Sequence, residues 1–471
     1  MKKPIYIVSL FVIVVINVVL LFACGVLSLP NDKPYKIKDG VIRFEEPKRA
    51  EGQTSMLGFA AEPIETVRIG IIGLGMRGQG PLKRMSFIEG AKIVAICDLH
   101  ADRIEKAQKR LEKYNTPRAD EYVGEDSWKE MCKREDIDLI YIVTPWEAHT
   151  PMAVYAMEQG KHVAIEVPAA TSVEECWQLV DTSERTRRHC MMLENCIYDH
   201  FELTALNMAQ QGLFGEIIHV EGGYIHALDK WWDRFDENWR LKFNQKHNGD
   251  VYATHGLGPI CFALNIHRGD RMTHLVAMDT DSWIGKELSK KSLDTEEFAN
   301  GDHTSTLIRT AKGKTIGLSH NVYTPQPYSR RYQLTGTKGF ANKYPVQGFY
   351  LEDASIAGVA KSHEDLDSHK FLPEDLHNAV IEKYRHPIQK ELLEYAKKVG
   401  GHGGMDFIMD YRLIYCLRNG LPLDQDVYDA AEWSCIGDLS AASIENNFMA
   451  VEFPDFTRGE WNKLEGHTFA K

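Results

Sequence analysis

The feature that most constrains this chain is a glycine-rich turn set between two apolar runs. Residues 67–72 (Val-Arg-Ile-Gly-Ile-Ile) lead into Gly73-Leu74-Gly75-Met76-Arg77-Gly78, and the next apolar run ends in Asp98, 20 positions after Gly78. A Gly-x-Gly-x-x-Gly string alone recurs by chance. Between a strand and a helix, with a carboxylate closing the following strand, it is the fingerprint of a dinucleotide-binding βαβ unit. Gly73 permits the tight turn, Gly75 lets backbone N–H groups approach a pyrophosphate, and Gly78 allows close helix-to-strand packing at the positive end of the helix dipole. Asp98 is placed to accept hydrogen bonds from a ribose. A 2′-phosphate would face its like charge, which favours NAD over NADP. A flavin or another adenosylated ligand stays open at this stage.

The same alternation continues. Strands are expected over 67–72, 92–98, 137–144 and 162–166, with helices over 75–88, 101–114 and 151–160. The strands run near-continuously apolar, as in a parallel sheet covered on both faces. The fold class expected is therefore α/β, an N-terminal doubly wound Rossmann domain over 66–194. From 195 to 471 the texture shifts to Trp, His, Tyr and Gly. Strands are expected there at 216–225, 275–278, 303–310, 315–323 and 332–336, and helices at 387–399 and 426–446, which reads as a second α/β domain on a more open, largely antiparallel sheet.

Upstream, Lys2 and Lys3 precede an apolar stretch between Ile5 and Cys24, the layout of a secretory signal. Leu21-Phe22-Ala23-Cys24-Gly25 resembles a bacterial lipobox. Residues 1–24 are thus expected to be a signal segment with Cys24 lipid-modified, giving an exported, membrane-anchored lipoprotein on the periplasmic or cell-surface side. An uncleaved membrane anchor is the alternative, since about 18–20 apolar residues span a bilayer. Residues 25–65, rich in charge and proline with no sustained period, read as a linker. The eight remaining cysteines show no CxxC pair; most are expected as buried thiols, with a Cys190–Cys196 bridge left open. A net charge of −12 without a long basic run gives no footprint for nucleic acid.

The runs Thr144-Pro145-Trp146-Glu147-Ala148-His149 and Gly160-Lys161-His162-Val163-Ala164-Ile165-Glu166-Val167-Pro168 resemble the glucose-fructose oxidoreductase-like (Gfo/Idh/MocA) superfamily, whose second run usually reads Glu-Lys-Pro. Here Val167 replaces the lysine that assists simple alcohol oxidation. With Glu194-Asn195, Tyr224, Trp239-Arg240, Tyr252-Ala253-Thr254-His255-Gly256-Leu257-Gly258-Pro259 and Pro327-Tyr328-Ser329-Arg330, the chain resembles glycoside hydrolase family 109 from about Val67 to the segment Pro454–Gly459. Ala253 stands where that family commonly has proline.

The resemblance implies hydrolysis of terminal α-linked N-acetylgalactosamine on a glycan or glycoconjugate, with NAD retained as a built-in redox store. C3 of the sugar is oxidised, the C2 proton becomes acidic, the C1 substituent is eliminated, water adds, and C3 is reduced again. The paired carboxylates of ordinary glycosidases are then not needed. It also implies NAD contacts at Met76, Arg77, Asp98, Trp146, Glu147, Ala148, His149, Glu166, Val167 and Asn195, and substrate contacts at Tyr224, Arg240, Tyr252, Ala253, Thr254, His255 and Tyr328. His255 is the first choice for proton transfer; Tyr252, three residues earlier, is open either to stabilise the enolate or to deprotonate C2, and Tyr224 is a further catalytic candidate. Arg240 pairing with a carboxylate instead of sugar stays open, as do Trp231 and Trp232 as a sugar-stacking wall or as packing. The irregular spacing of His247, His255 and His267 leads us to expect no catalytic metal. A homo-oligomer is left open. The competing readings are an NAD-dependent sugar or cyclitol dehydrogenase of the same superfamily and a silent glycan-binding lipoprotein.

Overall fold

The computed structural model describes residues 33–352, 358 and 369–467. Cys24 and the apolar segment before it lie outside the described residues. Among those described, no helix is long and apolar enough to cross a membrane.

Strands begin earlier than expected. β1 (Tyr35–Lys38) and β2 (Val41–Phe44) form a hairpin inside the stretch that reads as a linker. The chain then joins the alternating region: β3 (Val67–Ile72), β4 (Ala91–Asp98), β5 (Asp120–Val123), β6 (Leu139–Ile142), β7 (His162–Ile165) and β8 (Cys190–Met192). These six pair in parallel in the order β5-β4-β3-β6-β7-β8. β6 and β7 are buried at every position, which is why they read as unbroken apolar runs and not as alternating ones. The strand order reverses between β3 and β6, and their carboxyl ends open a crevice there, the place where such sheets bind ligands.

The second sheet contains β9 (Ile217–Ile225), β10 (Met272–Asp279), β11 (Thr304–Thr310), β12 (Thr315–Asn321), β13 (Gln333–Gly336), β14 (Gly339–Asn342), β15 (Gly348–Leu351) and β16 (Ala450–Glu452). Its order is β1-β2-β16-β10-β11-β12-β9-β13-β14-β15. The pairs are antiparallel except β12 with β9 and β16 with β2. β11 alternates buried and exposed throughout, the mark of a sheet with one covered face. The covering helices include Thr254–Leu264 and Ile436–Glu445.

Two expectations are corrected. Residues 25–65 are not a bare linker over the described part: β2 pairs with β16, Ile42 and Met56 are buried, and the Ile64 N–H donates to the Leu417 carbonyl. The single helix expected over 426–446 is two, Val427–Ser434 and Ile436–Glu445. Asp426 caps the first by a reciprocal box with Asp429. All eight cysteines from Cys97 onward are free and buried, so Cys190 and Cys196 form no bridge.

Candidate functional site

One cavity of about 780 Å³ runs from the end of β4 across the fingerprint turn to the second sheet. Its first half is built by the three glycines. Gly73 has φ +91° and a Cβ there would stand 2.3 Å from the Val143 carbonyl oxygen; a Cβ on Gly78 would stand 2.0 Å from the Gly73 carbonyl oxygen. Gly78 therefore serves the closure of the turn itself as much as helix packing. At Gly75 the nearest atom to a Cβ would be Arg103 Nη1 at 3.6 Å, so its backbone faces open space, the cradle a diphosphate fills. Asp98 accepts from the Leu74 N–H (2.7 Å) and the His100 N–H (2.9 Å) and lines the cavity. These residues fit a dinucleotide.

Beyond the turn, charges interlock. Arg77 Nε donates to Glu166 (2.7 Å) and its Nη1 to Asp406 (3.0 Å). Asn195 donates its amide to the same Asp406 carboxylate. Burial alone would raise Asp406, but Arg77, His402 and Arg84 outweigh it and hold the carboxyl well below its ordinary range. His149 is fully buried, its ring nitrogens 2.7 Å from the Pro168 carbonyl and 2.8 Å from that of Thr144. It ties together the two loops that carry Trp146 and Val167.

The other half of the cavity owes its form to glycines in the second domain. A Cβ on Gly256 would lie 2.1 Å from the Gly223 nitrogen, and one on Gly222 2.3 Å from the Gly256 oxygen. The helix Thr254–Leu264 can therefore lie directly on β9. That contact brings Tyr224 within ring distance of Tyr252 (centroids 4.7 Å) and His255 (5.4 Å). A Cβ on Gly258 would lie 2.8 Å from Glu194 Cγ, and in the space it leaves Glu194 reaches His255.

The result is a hydrogen-bonded chain of three side chains. His255 Nδ1 donates to both Glu194 oxygens (2.9 and 2.8 Å), and Glu194 also accepts from the Cys196 N–H (2.9 Å). Glu194 is 0% exposed. Burial would raise it, but His255 and the Cys196 bonds prevail and keep it below the usual carboxylate range. An ionised carboxylate on Nδ1 fixes the ring tautomer and leaves Nε2 as acceptor, and Tyr252 Oη donates to it at 3.2 Å. Burial pushes the Tyr252 phenol well up, with Arg240 opposing, so Tyr252 keeps its O–H and donates it. Arg240 lies 4.8 Å from the Tyr252 ring and 4.9 Å from that of Trp146. Among the described residues no carboxylate lies within ion-pair distance of it, and its buried Nε has no partner.

Of the residues expected at the site, Gly73, Gly75, Met76, Arg77, Asp98, Trp146, Glu147, Ala148, His149, Glu166, Val167, Asn195, Tyr224, Arg240, Tyr252 and His255 line this one cavity. Gly78 stays inside the turn. Ala253 and Thr254 are buried at the start of their helix and do not form its wall, while Tyr328 stands edge-on to the cavity residue His226 at 5.2 Å. Trp232 is packing, stacked on Tyr323, whereas Trp231 lines the cavity. Glu194 was expected only as part of the Glu194-Asn195 motif; its contact with His255 comes from the fold. Spacing also hid two clusters of metal-ligand types, Glu194-Cys196-His255 and His267-Asp426-Asp429. In the first the carboxylate oxygens already accept from His255 and Cys196, and in the second Arg268 holds Asp429 at 2.7 and 2.8 Å.

Residues 198–463 match the profile of the glycosyl hydrolase 109 C-terminal domain, and 67–194 that of the oxidoreductase family with an NAD-binding Rossmann fold. The chain belongs to glycosyl hydrolase family 109. Relatives carrying that family name include proteins of Porphyromonas gingivalis (58% identical over 433 residues, 91% of this chain and 92% of theirs) and Bacteroides thetaiotaomicron (56% over 442 residues, 93% and 95%). Among solved structures, an oxidoreductase domain protein from Kribbella flavida aligns with TM-score 0.62 at 16% identity, over 83% of this chain and 100% of that one. Levoglucosan dehydrogenase in complex with NADH aligns with TM-score 0.60 at 16% identity over the same shares. This member of family 109 is an NAD-dependent glycoside hydrolase of the Gfo/Idh/MocA type.

Proposed function

We propose that this enzyme releases terminal α-linked N-acetylgalactosamine by oxidation, elimination, water addition and reduction. One observation supports the reading most: the wall beside the cofactor groove carries Val167 where the superfamily's dehydrogenases have lysine, while Tyr252 and His255 enter the same cavity from the second domain, with Glu194 of the Rossmann half behind His255. Bound NAD would accept hydride from C3 of the sugar and give it back at the end of the cycle, the C3 hydroxyl proton leaving to water in the first step and returning from water in the last. His255 Nε2 takes the C2 proton, with Glu194 stabilising the imidazolium that forms. Tyr252 Oη turns its hydrogen from His255 Nε2 to the oxygen on C3 while negative charge builds there, which leaves Nε2 open to the C2 proton. The C1–O bond then breaks as the C1–C2 double bond forms, the departing oxygen taking a proton from water. Water adds at C1, and His255 returns a proton to C2. Arg240, with its guanidinium free of carboxylates among the described residues, suits hydrogen bonding to the N-acetyl or hydroxyl oxygens.

The test is to incubate purified protein with an aryl α-N-acetylgalactosaminide and no added NAD. Aglycone release without net NADH supports the hydrolase; stoichiometric NADH would identify a sugar dehydrogenase. We further propose export and lipid attachment at Cys24, carried by the sequence Lys2 to Gly25. Labelled palmitate should enter the wild type and not C24A.

A further inference from the structure

A second glycine-rich segment meets the NAD groove from the far side, and the fingerprint reading does not include it. Gly400, Gly401, His402, Gly403 and Gly404 all have positive φ (96°, 91°, 44°, 73° and 105°). The run is held in that form by its neighbours. A Cβ on Gly401 would lie 2.7 Å from Asp406 Cβ, and one on Gly404 2.9 Å from the Ala396 carbonyl carbon. At its tip the one side chain, His402, lines the cavity and is 58% exposed.

His402 is aimed by a fixed group. Its Nδ1 donates to Asp406 Oδ2 at 2.9 Å, and that buried carboxylate is itself held by Arg77 and Asn195. With Nδ1 committed, Nε2 is the polar atom the ring has left for a ligand, and its direction is set by the carboxylate behind it. The strand order says which part of the cofactor lies near. Asp98 ends β4 where such folds place the adenosine ribose, and a dinucleotide held there would cross the fingerprint turn toward the ends of β7 and β8. Glu166 follows β7 and Asn195 lies beyond β8, and both join His402 through Arg77 and Asp406.

We propose that His402 is a cofactor-binding residue, its Nε2 hydrogen-bonding an oxygen of the nicotinamide-side ribose-phosphate, with Asp406 as its positioning residue. The loop comes from the carboxyl-terminal half of the chain, so this contact ties the dinucleotide to both halves of the molecule. Retention follows from that double attachment. An enzyme that restores its cofactor in every turnover loses by releasing it, whereas a dehydrogenase must exchange it.

The experiment loads the full-length protein with NADH and follows its fluorescence while excess NAD displaces it, with no sugar present. His402→Asn suits the backbone, because Asn tolerates positive φ, and its shorter amide still reaches Asp406 but not the Nε2 position. Release should be about tenfold faster than in wild type, the loss of one hydrogen bond to a charged group. His402→Gln, whose amide reaches further, should recover part of the difference. Wild-type release from His402→Asn overturns the proposal. So does a rise in KM for the glycoside with the release rate unmoved, since that would place His402 on the sugar.

Discussion

At the scale of single residues, Glu194 carries the largest consequence. It is a buried acid kept ionised by His255, and the tautomer of His255 depends on it. Glu194→Gln preserves the volume but removes the charge that stabilises the imidazolium. We expect kcat to fall on the order of 100-fold or more with NAD still bound, checked by steady-state rates beside the absorbance of the retained cofactor. Asp250, two positions before Tyr252, has the opposite character. Burial pushes its carboxyl up to about 7, the Tyr252 N–H only partly opposing. The unfolded chain ionises near pH 4 while the folded chain keeps the proton to about pH 7, so this group costs stability progressively between those values. Asp250→Asn should therefore melt higher than wild type, by a margin that grows from pH 4 to pH 7 and then levels off. A margin independent of pH would show that Asp250 is not the titrating group. The fingerprint glycines and Asp98 were legible because they lie within 26 residues and each answers to a local rule. Glu194 was not, since 61 positions separate it from His255 and its role exists only after the helix Thr254–Leu264 lies on β9.

At the scale of elements, that packing is itself written in glycines. Gly222 and Gly223 on β9 face Gly256, and Gly258 faces Glu194. In the sequence they read as breakers in a strand and a helix, and only the backbone approach explains them. Gly258→Ala would put a methyl 2.8 Å from Glu194 Cγ and 3.3 Å from Trp433. Overpacking of this kind costs about 1–3 kcal/mol. The side chain that can give way is Glu194, so kcat should fall more than KM changes. Measuring both parameters with the melting temperature decides it: a stability loss with kcat intact would mean that Trp433 moves instead. The parallel strands were legible because burial on both faces leaves an unbroken apolar run. The helix boundary at Cys435 was not, since Ala, Trp, Ser, Cys and Ile continue an apolar pattern across the junction.

At the scale of the whole molecule, the two sheets are joined by charge as well as by covalent connection. Glu184, at the end of the helix Val173–Thr186 in the Rossmann half, is 0% exposed and accepts four hydrogen bonds from three side chains. Arg49 from the segment after β2 donates twice at 3.0 Å, Arg458 from the carboxyl-terminal region donates at 2.8 Å, and Tyr428 from the helix Val427–Ser434 donates at 2.6 Å. This is why residues 45–65 read as a linker yet do not behave as one. Their order comes from single charged and polar side chains that meet partners more than 100 positions away, and such order leaves no period in the sequence. Glu184→Ala leaves two guanidinium groups and a phenol without their shared acceptor. Breaking a buried pair by removing one partner costs about 3–5 kcal/mol, but Arg49 keeps Glu460 and Arg458 keeps Asp181, so the loss here should fall at or below about 3 kcal/mol, a fall in Tm of roughly 3 °C for a chain this long. The segment after β2 should loosen first. Limited proteolysis would then cut the variant between 45 and 65 well below the temperature at which the Rossmann half melts, whereas cleavage only on global unfolding would mean that the hairpin β1–β2 and Met56 hold the segment without Glu184.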